Sequence, residues 1–309
     1  VTQCVTPEMP RKAMFLLNVL LGPARLKLYV WASLVSQILI VVTGGAVRLT
    51  GSGLGCPTWP ECEPGSYTNV PELGIHGVIE FANRLLTFVL LLVAVLTFLT
   101  IMRLPKAEKF GLVWPAFALG LGIVAQAIIG GITVLAGLNS WIVGAHFLVS
   151  GVLICIAVIL VWRFYAEWTF EATKTTKLLN SITFPIGVIA IIIGVIVTGS
   201  GPHAGDADTP RNGLNSDLLV HLHSYPAYIL LGLVLLQIFI LHRTSAPRFA
   251  IKLAYVFLGL LAVQAAIGIL QVRIGLPITL VAIHMLGACL IMCSLTHQML
   301  ISRNWLYKK

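Results

Sequence analysis

Charge is what this sequence has least of. Asp, Glu, Lys and Arg make up 10% of its 309 residues, against 58% apolar side chains, whereas soluble domains carry about 25% charged residues. That scarcity excludes an ordinary water-soluble protein, because so few ionisable groups cannot keep so much apolar surface dispersed. Acids are rarer than bases, 11 to 20, for a formal charge of +9. The basic excess does not point to nucleic acid, since no basic run is interleaved with aromatic side chains into a binding face. No cleavable leader is expected either: the first 27 residues contain Pro7, Pro10 and Pro23 and lack a compact apolar core followed by small residues. The first apolar stretch is expected to act as its own signal.

Long apolar runs fill the space that charge leaves. At about 20 residues per crossing, eight stretches qualify, at about 28–48, 76–101, 112–136, 141–162, 181–199, 219–241, 252–273 and 278–300. The chain therefore reads as an all-α integral membrane protein whose solvent is the lipid bilayer. Basic residues in short loops mark the cytoplasmic side, and 16 of the 20 fall at the termini or in alternate loops, from Arg11 and Lys12 to Lys308 and Lys309. The other four, Arg48, Arg84, Arg211 and Arg273, lie at or near the opposite face with seven of the 11 acids. Both termini are thus expected in the cytoplasm of a multi-pass protein of the bacterial cell membrane. Two long loops, about 49–75 and 200–218, are expected outside.

The chain repeats itself. Gln126, Gly130, Gly137, Leu138 and His146 recur at a constant offset of 138 as Gln264, Gly268, Gly275, Leu276 and His284. The tetrapeptide Thr50 to Gly53 is echoed by Thr198 to Gly201. A duplicated four-helix unit follows, with both copies oriented alike because four is even. The expected architecture is two pseudo-symmetric four-helix bundles: a cytoplasmic segment 1–27, a first bundle 28–163, a cytoplasmic linker 164–180, a second bundle 181–302 and a tail 303–309.

Ionisable groups inside spans are costly and by default functional. His146 and His284 each lie about six residues into the last helix of their half. The second helices open with His76, Glu80 and Asn83 in one half and with His221 and His223 in the other. Imidazoles facing across a four-helix bundle suit the axial ligation of haem iron, and glycines on the third helices (Gly120, Gly122, Gly130, Gly131, Gly259, Gly268) would admit a flat macrocycle. A structural zinc site needs four converging ligands, which neither half supplies at one depth. His221 and His223, two apart, cannot face the same partner, and the 138 offset aligns His221 with Asn83. His203, with Asp206 and Asp208, reads as a solvated turn, and His242 and His297 as side chains snorkelling at the cytoplasmic ends.

His76, Glu80 and Asn83 follow i, i+4, i+7 spacing, which stacks them on one helix face. Glu80 is either an ion-pair partner for Arg84 or a catalytic carboxylate. Cys56 and Cys62 enclose Pro57 and Pro60 in a loop where an oxidising exterior permits a disulfide, as a staple or as a redox-active pair. Cys155, Cys289 and Cys293 read as packing residues.

From GGAVRLTGSGLGCPTWPEC through EFANR, NSWIVGAHF and the opening of the sixth span to the final His284, the chain resembles the haem A synthase family, membrane enzymes that convert haem O to haem A for haem-copper oxidases. Its second long loop, GPHAGDADTPRNG, resembles actinobacterial members. The resemblance implies haem B held by His223 and His284 in the second bundle, with His221 the alternative to His223. It implies a haem O substrate site near the catalytic pair Glu80 and His146 in the first bundle, and a Cys56–Cys62 pairing. A haem O synthase and an electron acceptor are the implied partners. One motif departs: where the family has Glu, two residues, His, Arg, this chain reads EFANR, with Asn83 in place of the histidine. Either the substrate iron keeps one face open opposite His146, or His76 takes the position. A contribution from His76 is the reading adopted. The rival readings are a di-haem cytochrome b type electron carrier and a proton-coupled transporter.

Overall fold

The computed structural model describes residues 18–165 and 171–302. Most of the N-terminal segment, the middle of the linker and the tail expected from the sequence lie outside the described residues. Among the described residues eight helices are long and apolar enough to cross a membrane, which makes the chain a multi-pass membrane protein. They are α1 (Leu26–Leu49), α2 (Gly74–Met102), α3 (Val113–Leu135), α4 (Ser140–Phe164), α5 (Lys174–Ser200), α6 (Ser216–Arg243), α7 (Arg248–Arg273) and α8 (Ile278–Ser302). A one-turn helix, Lys106–Lys109, bridges α2 and α3. Large apolar side chains such as Phe88, Phe117, Val152 and Phe239 remain exposed along the helices, as lipid-facing surfaces require.

Local chemistry sets the helix ends. Asn139, Thr173 and Asn215 cap α4, α5 and α6, their side-chain oxygens accepting the amides of Trp141, Thr176 and Leu218. The α3–α4 and α7–α8 turns share one backbone. Gly137 and Leu138 have φ of 58° and 57°, Gly275 and Leu276 of 82° and 57°. Each leucine amide returns to a carbonyl five residues back, Leu138 to Thr133 at 2.8 Å and Leu276 to Gln271 at 2.7 Å, the closure of a Schellman turn. A leucine in the left-handed region is uncommon, and it recurs here at Leu138 and Leu276. Helix α5 starts at Lys174 rather than near 181: the Thr173 cap and the polar turn behind it carry the helix beyond its apolar stretch.

Packing joins α1 to α2, α2 to α3, α3 to α4 and α4 back to α1, and in the same way α5 to α6, α6 to α7, α7 to α8 and α8 back to α5. Each half thus closes a ring of four, in which the second and fourth helices stand on a diagonal. The rings meet through α8, which packs on α1 and α4, and through α4 on α5. Lipid offers no hydrophobic drive for this association, so close approach at small residues and interhelical polar contacts matter. Gly45 and Gly151 receive Met285 and Met292 across the seam. Ser33 and Thr97 join α1 to α2 at 3.1 Å, and Gln298 takes Gln237 Nε2 at 2.7 Å and Asn180 Nδ2 at 2.9 Å.

The long loops and the α3–α4 and α7–α8 turns gather at one end. Arg48, at the end of α1, donates to the carbonyls of Thr198 (2.9 Å) and His203 (2.8 Å). The Gly53 amide reaches the Gly205 carbonyl at 2.8 Å. His203 does not sit in a solvated turn: its Nε2 bonds the Leu276 carbonyl at 2.9 Å. At the other end His297 does not snorkel; it packs edge-on against Trp162, ring centres 5.0 Å apart.

Candidate functional site

In the second ring, His223 on α6 and His284 on α8 face each other across the diagonal with ring centres 6.3 Å apart and planes at 74°. Metal–imidazole bonds of about 2 Å, plus about 1 Å from each nitrogen to its ring centre, would put two rings on one iron about 6 Å apart. The spacing fits a shared iron. His223 Nδ1 bonds the Ala190 carbonyl at 2.9 Å, which fixes the tautomer and leaves Nε2 for a metal. A Cβ at Gly194 would stand 2.9 Å from His223 Cε1, so glycine is needed where α5 passes the ring. His284 is set by α7: Gln264 Nε2 donates to its carbonyl at 2.9 Å, and Gly268 leaves room for its Cε1, 3.3 Å from where a Cβ would be. Its Nδ1 is buried with no partner. His221 is exposed and turned away from this pair.

The first ring repeats half of that arrangement. Gln126 Nε2 donates to the His146 carbonyl at 3.0 Å, and Gly130 leaves His146 Cε1 3.5 Å from a virtual Cβ. His146 Nδ1 is buried without a partner, as His284 Nδ1 is. Across the diagonal stands Asn83. It meets α1 at Gly44, whose virtual Cβ lies 3.8 Å from Nδ2, and its Oδ1 accepts the Thr43 hydroxyl at 2.8 Å. Asn83 against Gly44 is the counterpart of His223 against Gly194. The fitting offset is therefore 140, not the 138 that pairs Asn83 with His221.

His76 is not beside Asn83. It is exposed and its Nδ1 bonds the Ser52 hydroxyl at 2.8 Å. Seven residues at about 1.5 Å rise set it about 10 Å nearer the loop end. Glu80 is buried at 6% exposure and pairs with Arg84 at 2.8 Å, while its second oxygen accepts the Cys56 amide. Arg84 donates further to the carbonyls of Cys56 (3.2 Å), Thr58 (2.9 Å) and Glu61 (3.2 Å). Cys56 and Cys62 are joined, Cα atoms 4.4 Å apart and both fully buried. The ion pair thus grips the disulfide loop from inside α2, and Trp59 of that loop lies on Gly131.

Of the six glycines singled out, Gly131 seats Trp59 and Gly122 seats Leu153, Gly130 and Gly268 meet a histidine, and Gly120 and Gly259 face open space. Sequence reasoning missed Thr43, Gly44, Gly194 and the Ala190 carbonyl. The glycines could have been sought as helix-facing partners of polar positions, but a backbone carbonyl leaves no trace in sequence. Among the described residues no three His, Cys, Asp or Glu side chains converge to hold a metal ion. The site's unit is an imidazole pair, which suits a macrocycle that brings its own in-plane nitrogens.

Comparison with known proteins agrees in kind. A heme A synthase of Bacillus pumilus is 36% identical over 47% of this chain and 46% of its own length. One of Lysinibacillus sphaericus is 37% identical over 40% of each. The chain spans about half the length or less of these two relatives. A heme A synthase of Beijerinckia indica is 25% identical over 88% of this chain and 91% of its own. Residues 27–296 match the family model COX15-CtaA, described as cytochrome oxidase assembly protein. The matched residues take in both rings and the facing histidines, and the chain belongs to the COX15-CtaA family of cytochrome oxidase assembly proteins.

Proposed function

We propose that the chain is a haem A synthase, which oxidises a methyl group of haem O to the formyl group of haem A within the membrane. The observation that carries this reading is the His223–His284 pair, 6.3 Å apart in one ring, with the other ring offering one matching imidazole and a buried carboxylate. His223 and His284 hold haem B, and the first ring, 28–163, takes haem O against His146. Haem B would supply a one-electron acceptor.

Glu80 is the catalytic carboxylate. It sits three residues before Asn83, about one helical turn away, and Arg84 keeps it oriented. A carboxylate held in this way takes a proton from the water that attacks the oxidised carbon, or stabilises positive charge developing there. The disulfide loop closes over it. An apolar substrate with a prenyl tail enters sideways from the bilayer, which an intramembrane site favours. The loop end faces outside the cell and both termini face the cytoplasm, as the basic loops indicate. A haem O synthase delivers the substrate and a membrane electron acceptor removes the electrons.

The test is an optical spectrum of detergent-purified protein, followed by acid extraction and chromatography of the pigment. Haem B with haem O or haem A is expected, and Glu80→Gln keeps haem B while haem A disappears. A colourless protein, or full haem A production by Glu80→Gln, would contradict the proposal or the role of Glu80 respectively.

A further inference from the structure

The two rings offer their guests different grips. In the second, imidazoles face each other from α6 and α8. In the first, His146 on α4 has across the diagonal not an imidazole but the amide of Asn83, seated against Gly44 as His223 is against Gly194. A neutral carboxamide is a poor ligand for haem iron, which imidazole suits. The single histidine on α2, His76, is about 10 Å further along the helix and is tied to Ser52. Nothing on α2 therefore supplies a second nitrogen at the depth of Asn83.

We infer that the substrate haem is held by His146 alone, with its sixth position open beneath Asn83. This rests on the haem-binding reading above. Thr43 fixes the amide through Oδ1 at 2.8 Å, and Nδ2 makes no hydrogen bond among the described residues, so it is the donor available to a small neutral ligand on the iron, such as water. The asymmetry also separates the two guests by lifetime. A ring clamped from both faces stays as a resident cofactor, whereas a ring bound from one face is released more readily, as a product must be.

The test uses the full-length protein loaded with haem O in detergent and compared with His146→Ala. The difference between the two reports the first-ring haem alone. A high-spin ferric signal, one carbon monoxide bound per ferrous first-ring haem, and no change on His76→Ala are expected. Asn83→His should abolish carbon monoxide binding and give a low-spin signal. Transfer of the ring to excess apomyoglobin should slow at least about tenfold, as for an added bond of ~1.4 kcal/mol or more. Asn83→Leu should keep carbon monoxide binding and raise the C–O stretching frequency, because the amide donor is gone. A low-spin, carbon monoxide-refractory first-ring haem, or one that becomes high-spin in His76→Ala, would overturn the inference while leaving the haem sites intact. A flat difference spectrum would overturn the substrate site itself. Should Asn83→His fail to fold, the wild-type and His76→Ala measurements still decide.

Discussion

Where the second helix of each ring passes the first, a polar side chain faces a glycine: His223 faces Gly194 in one ring, Asn83 faces Gly44 in the other. Between the third and fourth helices the rings agree closely, with Gln126, Gly130 and His146 arranged as Gln264, Gly268 and His284 are. The two rings share one imidazole seat and differ at the other. The altered ring is also the one that carries Glu80, Arg84 and the Cys56–Cys62 loop. Under the proposed function one scaffold would serve retention in one half and turnover in the other, and the difference would lie in a few side chains on α2 and α6.

The largest effects are expected at the imidazoles. His223→Ala or His284→Ala should empty the second ring of haem and leave the first loaded, and His146→Ala should do the converse, as read by haem content per chain. Next come the glycines. Gly194→Ala places a methyl 2.9 Å from His223 Cε1, whereas at Gly44 the nearest atom is 3.8 Å away. Gly194→Ala should therefore displace the ring, lose its bond to Ala190 and deplete second-ring haem, with Gly44→Ala leaving haem content unchanged. A smaller effect is expected at the disulfide, which spans a sequence separation of 6. Cys62→Ser should cost about 2 kcal/mol by loop entropy and loosen only the first ring, visible as faster proteolysis within residues 50–73. Least of all, Arg48→Ala unpairs two half-buried carbonyls that join the rings. It should cost about 1 kcal/mol and lower the thermal midpoint without altering either haem spectrum.

Much of this is legible in the sequence because a bilayer imposes a simple code. Apolar stretches long enough to cross give the eight helices, and α4 at Ser140–Phe164 lies within two residues of the stretch 141–162 at each end. Polar helical turns such as the start of α5 escape that reading, since caps and not hydropathy set them. The histidines stand out because lipid makes each one costly. What the pattern does not disclose is which way a side chain turns at a helix end. His76, Glu80 and Asn83 share a spacing, but the Cys56–Cys62 loop covers Glu80 and leaves His76 exposed on Ser52. The offset of 138, right for α4 and α8, shifts by two residues on α2 and α6, so that His221 is aligned where His223 is seated. Glycines likewise announce close approach without naming the neighbour, as Gly131 with Trp59 shows.

A density map of the haem-loaded protein tests the division between the rings most directly. Porphyrin density bridged on both faces by His223 and His284, and another porphyrin in the first ring bonded by His146 with Asn83 over an unligated face, is the expected result. A macrocycle in the first ring coordinated from α2 by a histidine, or His223 and His284 directed away from any macrocycle, would contradict it.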